Sequence, residues 1–370
     1  MSIPLVDLGA QHAEIADEVR AGLDEVFART AFVGGPAVGR FESAYAAYVG
    51  AAHCVGVANG TDALELALRA AGVRPGGEVI LPANTFIATA EAASRIGARP
   101  VLVDVDPTYL LIDPGAVRAA LSPRTEAIVP VHLFGQVAPV EEIGKIAADA
   151  GVPMIEDAAQ SQGARRFGQP AGSFGLAAGT SFYPGKNLGA AGDAGGVTTS
   201  DADVARTVRV LSAHGSEHKY DHETIGFNSR LDTVQAVYLE AKLRRLEGWN
   251  AARRTAAERY GAALATVDGV VAPTSADGNE DVWHLYVVQV DERDRVLANL
   301  HGAGVGAGIH YPTPLHLTAA YADLGLGRGA FPVAEAAADR ILSLPMYPHL
   351  TADQQDVVVE ALATAVGVRP

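Results

Sequence analysis

The stretch "EVILPANTFIATAEAASRIGARPVLVDV", Glu78 to Val105, holds two short apolar runs, EVILP and PVLVDV, on either side of an alanine-rich segment of helical length. That is one strand, helix, strand unit. The same alternation extends both ways along the chain, with CVGVA before it and EAIVPVHL and PMIEDA after it, and helical patterns between. The runs are almost continuously apolar rather than alternating, as strands are when helices cover both faces of a mostly parallel sheet. Ligands of such sheets gather at the carboxyl ends of the strands. The residues that follow each apolar run are therefore the ones to inspect for chemistry.

The chain has 370 residues, enough for a large domain with a smaller companion. Its 28 Lys+Arg against 43 Asp+Glu give a formal charge of −15. No basic run or aromatic-basic patch offers a footprint for a phosphate backbone, so nucleic acid is not an expected partner. An anionic ligand has to be held by a local site. The single cysteine, Cys54, sits in "HCVGVANG", where a small thiol packs in a strand. The start of the chain lacks a basic region followed by an apolar stretch, and no segment reaches the roughly 20 apolar residues of a membrane span. A cytoplasmic protein with no membrane partner is the expectation.

Beyond Val197, "SDADVARTVRVL" opens a helix that Ser200 or Asp201 caps. A polar loop runs from His214 to Asn228. The segment "SRLDTVQAVYLEAKLRRLEGWNAARRTAAERY" then places Leu239, Leu243 and Leu246 at helical spacing, marking one or two long helices. The domain boundary is drawn there, with a large α/β domain over 1–247 and a small C-terminal α/β domain over 248–370. In the latter, VWHLYVVQV and VGAGIHY read as strands, with helices at ERDRVLANLHGAG, near 333–343 and at 351–366.

In "SFYPGKNLGAAGDAGGV", Ser181 to Val197, Lys186 lies among glycines and alanines. A lysine becomes a nucleophile toward carbonyl compounds when desolvation or a nearby cation lowers its pKa, and pyridoxal phosphate is the cofactor most associated with such a lysine. That cofactor also needs a carboxylate at its pyridine nitrogen, phosphate donors at a helix N-terminus, a flat ring cover and a partner for its phenolic oxygen. Asp157, at the end of PMIEDA, is the candidate carboxylate, with Glu156 pointing to the other side of the pleat. Gln160 is within reach of the phenolic oxygen. Gly60 turns the chain after its strand, Thr61 and Asp62 present their amides to the phosphate at the start of an apolar-periodic helix, and Ser181 offers a hydroxyl. Phe86 follows another strand end. Each residue alone is also what an ordinary cap, strand-end acid or core phenylalanine looks like; their order along one α/β chain sets them apart.

Seven motifs in order, NGTDAL, PANTFIAT, VHLFGQ, EDAAQSQGA, SFYPGKNLGAAGDAGG, GFNSRLD and IHYPTPLH, resemble those of the DegT/DnrJ/EryC1/StrS sugar aminotransferase family. The resemblance implies the fold-type I architecture of pyridoxal phosphate enzymes, that of aspartate aminotransferase. It implies that Lys186 carries the cofactor, Asp157 faces its pyridine nitrogen, Gln160 its phenolic oxygen and Phe86 its ring. Gly60, Thr61 and Ser181 would hold the phosphate, joined by Asn228 from a partner subunit, so a homodimer with shared sites is implied.

By the same resemblance, the reaction is ping-pong transamination from L-glutamate to a nucleotide-linked keto-6-deoxy sugar, with pyridoxamine phosphate between the two halves. The motif wording is most similar to enzymes that aminate dTDP-3-keto sugars. Enzymes of 4-keto sugars and of keto-cyclitols carry similar motifs, and a non-catalytic cofactor-binding regulatory protein is a further alternative. Relatives with histidine at the lysine position perform dehydrations, and this chain has the lysine. Tyr183, Lys219, Tyr220, His310 and Tyr311 match positions that line the sugar and diphosphate pocket in relatives, with His214, His218, His222 and His316 toward its rim. No metal site is expected.

Overall fold

The main sheet is built from β1 (His53–Val57), β2 (Glu78–Pro82), β3 (Arg99–Val103), β4 (Thr125–Ile128), β5 (Ile155–Asp157), β6 (Ala177–Ser181) and β7 (Gly195–Thr199) in a computed structural model describing residues 2–367. Hydrogen bonding orders them as β3-β2-β4 and β5-β6-β7-β1. Two isolated parallel bridges, Ile128 to Met154 and Val131 to Asp157, join the halves. The ladders β2–β3, β2–β4 and β5–β6 are parallel, and β7 alone runs against its neighbours β6 and β1. The mostly parallel sheet and mixed α/β class expected from the sequence are what the chain adopts.

The apolar runs explain the layering. Every residue of β2 is buried, as a strand covered on both faces requires. Helix α1 (Gly60–Ala70) follows β1 and packs on β6 and β7, and all residues from Asp62 to Leu68 are buried. Gly179 of β6 permits this approach, since a Cβ there would lie 2.8 Å from Leu64 Cδ2. Helix α2 (Ala88–Arg95) presents Ala90, Ala92 and Ala93, each fully buried, so that it too can lie close. Arg95 ties the two helices, at 2.9 Å from both Asp62 and Glu65.

The chain leaves β7 into α3 (Ala202–Ser212), where the cap is Asp201, accepting from the amides of Asp203 and Val204 at 2.8 and 3.1 Å. Helices α4 (Thr233–Leu243) and α5 (Leu246–Leu264) follow. The C-terminal part is an antiparallel sheet of β8 (Val270–Val271), β9 (Tyr286–Val290) and β10 (Ile341–Leu344), covered by helices that include Arg293–Gly302 and Ala352–Val366. Its core joins Tyr260, Tyr286, Leu342 and Leu362. Ile3, from the other end of the chain, is buried in the same core, its backbone bonded to Gly304 O and Gly306 N at 2.9 and 2.7 Å.

Several elements differ from the sequence reading. VGAGIHY is not a strand; only single bridges touch it, Val305 with Ile3 and Gly308 with Ser343. The helix near 333–343 spans Pro332–Arg340, and the next four residues are β10, because Ile341 to Leu344 find a ladder on β9. VWHLYVVQV becomes regular only at Tyr286, after Trp283 has taken a left-handed φ of 47°. EAIVPVHL loses its ladder at Pro130, which has no N–H to give. The polar loop from His214 to Asn228 contains a small hairpin, Ser216–His218 paired with Asp221–His222.

One buried polar group holds the middle of the sheet. Glu156, fully buried, accepts from the amides of Gly172 (2.7 Å), Phe174 (2.7 Å) and Gly175 (2.9 Å) and from His132 Nε2 (2.9 Å). The amide of Ala138 donates to His132 Nδ1 at 3.1 Å, so the ring proton is on Nε2 and points at the carboxylate. Replacing Glu156 by Gln turns an NH₂ toward donors that need an acceptor. Glu156→Gln should lower unfolding stability by about 3 kcal/mol in urea titration; a change within experimental error would show that the carboxylate does not organise this region.

Candidate active site

The parallel strands end at one edge, and β7, running the other way, begins there. Gly60 follows β1, Phe86 and Thr89 follow β2, Asp157 ends β5, Ser181 ends β6 and Gly195 starts β7. The loop bearing Lys186 spans from β6 to β7 at this edge. Topology thus converts residues far apart in sequence into one cluster.

Asp157 is buried and has two chain donors, Thr89 Oγ1 to Oδ2 at 2.7 Å and the Ala159 amide to Oδ1 at 3.1 Å. Thr89 spends its one proton on the carboxylate, so Thr85, at 2.9 Å, must donate to Thr89. Burial pushes the Asp157 carboxyl above its ordinary value, while Thr89, Ala159 and the Lys186 charge pull it back. Thr89 was not read from the sequence; its only signal was its place one helical turn after Phe86.

Lys186 is half-buried, and burial pushes its ammonium from 10.5 down to about 8 against the opposing pull of Asp157. The next residue fixes the loop. Asn187, buried, donates from Nδ2 to Asn250 Oδ1 and to Val282 O, both at 2.9 Å. Its Oδ1 therefore faces His284 Nδ1, 3.2 Å away, which makes Nδ1 the protonated nitrogen of His284. Burial first, then the charges of Lys186, Arg253 and His310, hold His284 well below the ordinary imidazole range, so the ring is neutral. Asn187 and His284 were missed in the sequence because an amide and a lone histidine carry no pattern of their own.

At the start of α1, Asn59 Oδ1 accepts the amide of Asp62 at 2.8 Å, so that amide is not a phosphate donor as the sequence reading had it. The amides of Gly60 and Thr61 have no acceptor among the described residues. Both lie where a helix favours an anion. A Cβ on Gly60 would fall 2.5 Å from Ser181 Cβ, and one on Gly195 would fall 2.3 Å from Asn59 O. Glycine at both positions leaves a concave patch of two free amides with the Ser181 hydroxyl beside it. These residues fit a phosphate group, and Asp157 and Lys186 fit the ring nitrogen and the aldehyde of the same cofactor.

Gln160 has a fixed orientation. Its Oε1 accepts the Phe134 amide at 2.6 Å, so Nε2 is the end that reaches Tyr311 Oη at 3.1 Å, with a second N–H to spare. The Tyr311 ring lies 5.3 Å from that of Phe86, which is half exposed at 51% and available as a cover. Burial and the Asp157 charge push the Tyr311 hydroxyl up to about 12, so it remains a donor. His310 Nδ1 is 2.8 Å from Ser343 Oγ, and burial with the Lys186 charge lowers its pKa.

The other expected residues lie outside this hydrogen-bonded cluster within the chain. Tyr183 is exposed in the lysine loop. Lys219 and Tyr220 stack on each other at 5.0 Å at the tip of the hairpin, and Asn228 is exposed; none shares a hydrogen bond with the lysine cluster within the chain. His316 is buried on Glu335 at 2.9 Å, away from any rim. Lys242 is a second buried amine, 5.6 and 5.7 Å from the rings of Tyr238 and Trp249, and burial brings it also to about 8. A depressed pKa therefore does not single out Lys186. The carboxylate and the unspent amides around it do.

Comparison with known proteins places this geometry. The model of the DegT/DnrJ/EryC1/StrS aminotransferase family matches residues 13–363. The erythromycin biosynthesis sensory transduction protein EryC1 of Saccharopolyspora erythraea is 46% identical, over 98% of this chain and 99% of its own. The dTDP-3-amino-3,4,6-trideoxy-alpha-D-glucose transaminase of Streptomyces venezuelae is 42% identical, over 97% and 95%. The crystal structure of S. venezuelae DesV in complex with a ketimine intermediate superposes with a TM-score of 0.97 at 41% identity, covering both chains completely. Solved neighbours of this fold include chains with bound PMP. With the family model matched over nearly the whole length and relatives more than 40% identical across it, the chain belongs to the DegT/DnrJ/EryC1/StrS aminotransferase family.

Proposed function

We propose that this aminotransferase uses pyridoxal phosphate to move an amino group from L-glutamate to a nucleotide-linked keto-6-deoxy sugar, by preference a dTDP-3-keto-6-deoxyhexose. The observation that carries the cofactor reading is the lysine of lowered pKa beside one buried carboxylate, with two free helix-start amides at the same sheet edge. The substrate class rests on the S. venezuelae transaminase, named for a dTDP-3-amino sugar and 42% identical.

Bound there, pyridoxal phosphate supplies an electron sink for breaking the C–H bond at the amine-bearing carbon. Lys186 would hold it covalently, Asp157 would keep its ring nitrogen protonated, Gln160 Nε2 would donate to its phenolic oxygen, and Gly60, Thr61 and Ser181 would bind its phosphate. Phe86 and Tyr311 would shield the ring from water. Once free, Lys186 Nζ takes the proton from the amino donor's α-carbon and delivers one to the sugar carbon that gains the amine. An amine near pKa 8 is suited to both tasks because it is neither fully protonated nor strongly basic at working pH. Asn228, Lys219 and Tyr220, standing apart within one chain, are assigned to the partner's site in a homodimer, where Asn228 would complete the phosphate contacts.

The name of the S. erythraea relative supports a second reading, a cofactor-binding protein that transmits a signal without turnover. L-Glutamate separates the two, because only an aminotransferase converts it to 2-oxoglutarate and passes the amine to the keto sugar. Incubation with L-glutamate and 3-keto or 4-keto dTDP-sugars, followed by mass analysis, tests the proposal; an aminated 3-keto sugar is the expected product, and inertness toward every nucleotide sugar would refute it.

Lys186→Ala should lose turnover entirely while retaining its fold. Mixed with an inactive Asn228→Ala protein under subunit exchange, it should regain about one quarter of wild-type activity, since one site in each mixed dimer is intact. No recovery would contradict shared sites. In cofactor-free protein, acylation of Lys186 followed against pH should have its midpoint at about 8; a midpoint at 10.5 would contradict the burial of the amine.

A further inference from the structure

A cavity of about 300 Å³ opens between the loop after β3 and the face of the C-terminal sheet. Tyr109, Phe134 and Trp283 provide three aromatic walls, and Asp281 and Gln136 the main polar groups. Among the described residues lining it, Asp281 alone carries a charge, and Tyr109 is the only other titratable group. Asp281 is 4% exposed; its Oδ2 accepts the Ser275 hydroxyl at 2.6 Å, while its buried Oδ1 has no partner. The Ala276 amide donates to Gln136 Oε1 at 2.8 Å, which leaves the Gln136 NH₂ as a donor on the same cavity.

An unpaired carboxylate in the wall of a cavity leaves an unfavourable charge that a cation bound in that cavity would offset. Aromatic faces around it attract the same kind of ligand. The neighbouring amide donor suits a hydroxyl oxygen. We propose that this cavity binds a small protonated amine bearing an adjacent hydroxyl, the chemistry of an amino sugar. The identification with an amino sugar, rather than another amino alcohol, rests on the reaction proposed above; the charge argument does not.

The cavity is separate from the lysine cluster yet shares a wall with it. Leu110 and Phe134 divide it from a smaller space lined by His310 and Tyr311, and both have left-handed backbones, with φ of 57° and 63°. The Phe134 amide is the group that orients Gln160. An occupant pressing on Phe134 therefore acts on Gln160 through one hydrogen bond, as a product returning to restrain its own synthesis would.

The chain has two tryptophans, so Trp249→Phe leaves Trp283 as the sole indole reporter. Borohydride-treated holoprotein, in which an amine can no longer exchange at Lys186, is titrated with D-glucosamine and with neutral D-glucose. Saturable change in Trp283 fluorescence is expected with glucosamine alone. Asp281→Asn should weaken binding at least about tenfold, Tyr109→Ala should weaken it with the charge kept, and wild-type binding should fall as pH drops through about 6, where burial has raised the Asp281 carboxyl. No saturable response at millimolar glucosamine, an equal response to glucose, or an Asp281→Asn affinity equal to wild type would each overturn the proposal. The same titration on cofactor-free protein gives the same answer if the site is real. Failure of the cofactor assignment would instead appear as no borohydride-fixed chromophore.

Discussion

Everything at the sheet edge depends on keeping one amine largely out of water beside one carboxylate. Desolvation pushes the Lys186 ammonium down and the Asp157 charge pulls it up; together they leave it near pKa 8. The balance requires that Lys186 not drift toward solvent or collapse onto Asp157. Asn187 supplies that restraint, spending both amide protons on α5 and on the segment before β9, with His284 donating to its oxygen. Asn250, the α5 partner, bonds Gln162 O in turn, so the lysine loop, the strand-end segment after Asp157 and α5 form one buried polar unit. Such a network is stabilising only when its members are satisfied together, which makes the position of Lys186 a property of the whole unit.

The same physics suits the proposed anion site to a protein of charge −15. Two free amides, one hydroxyl and the helix end at Gly60 offer partial positive charge without a basic side chain. The glycines at 60 and 195 let this cradle approach the end of β6 more closely than any side chain would allow. By contrast, Lys242 shows what burial without these surroundings gives: an amine of similar pKa enclosed by Tyr238 and Trp249, with no carboxylate and no anion cradle.

Much of this was legible in the sequence because it rests on local pattern. The apolar runs around Glu78–Val105 announce a sheet covered on both faces, and a parallel sheet places Asp157, Ser181 and Gly60 at one edge without further information. Lys186 stood out because its neighbours are small. Residues whose meaning comes from tertiary pairing were hidden. Thr89 matters because it reaches Asp157, and Ile341 to Leu344 form a strand because β9 presents an open edge, although the preceding helical pattern runs into them. VGAGIHY had a strand's composition and found no ladder. Asp62 had the look of a phosphate donor until Asn59 took its amide.

The most direct test of the account is to reconstitute the protein with pyridoxal phosphate, reduce it with borohydride and map the fixed cofactor by peptide mass analysis. The four lysines are Lys145, Lys186, Lys219 and Lys242, and the two of lowered pKa, Lys186 and Lys242, make the comparison sharp. The cofactor mass on the peptide containing Lys186, and on no other, is the predicted result. Label on Lys242, or no stoichiometric label at all, would contradict the assignment of Lys186 as the amine around which the structure is organised.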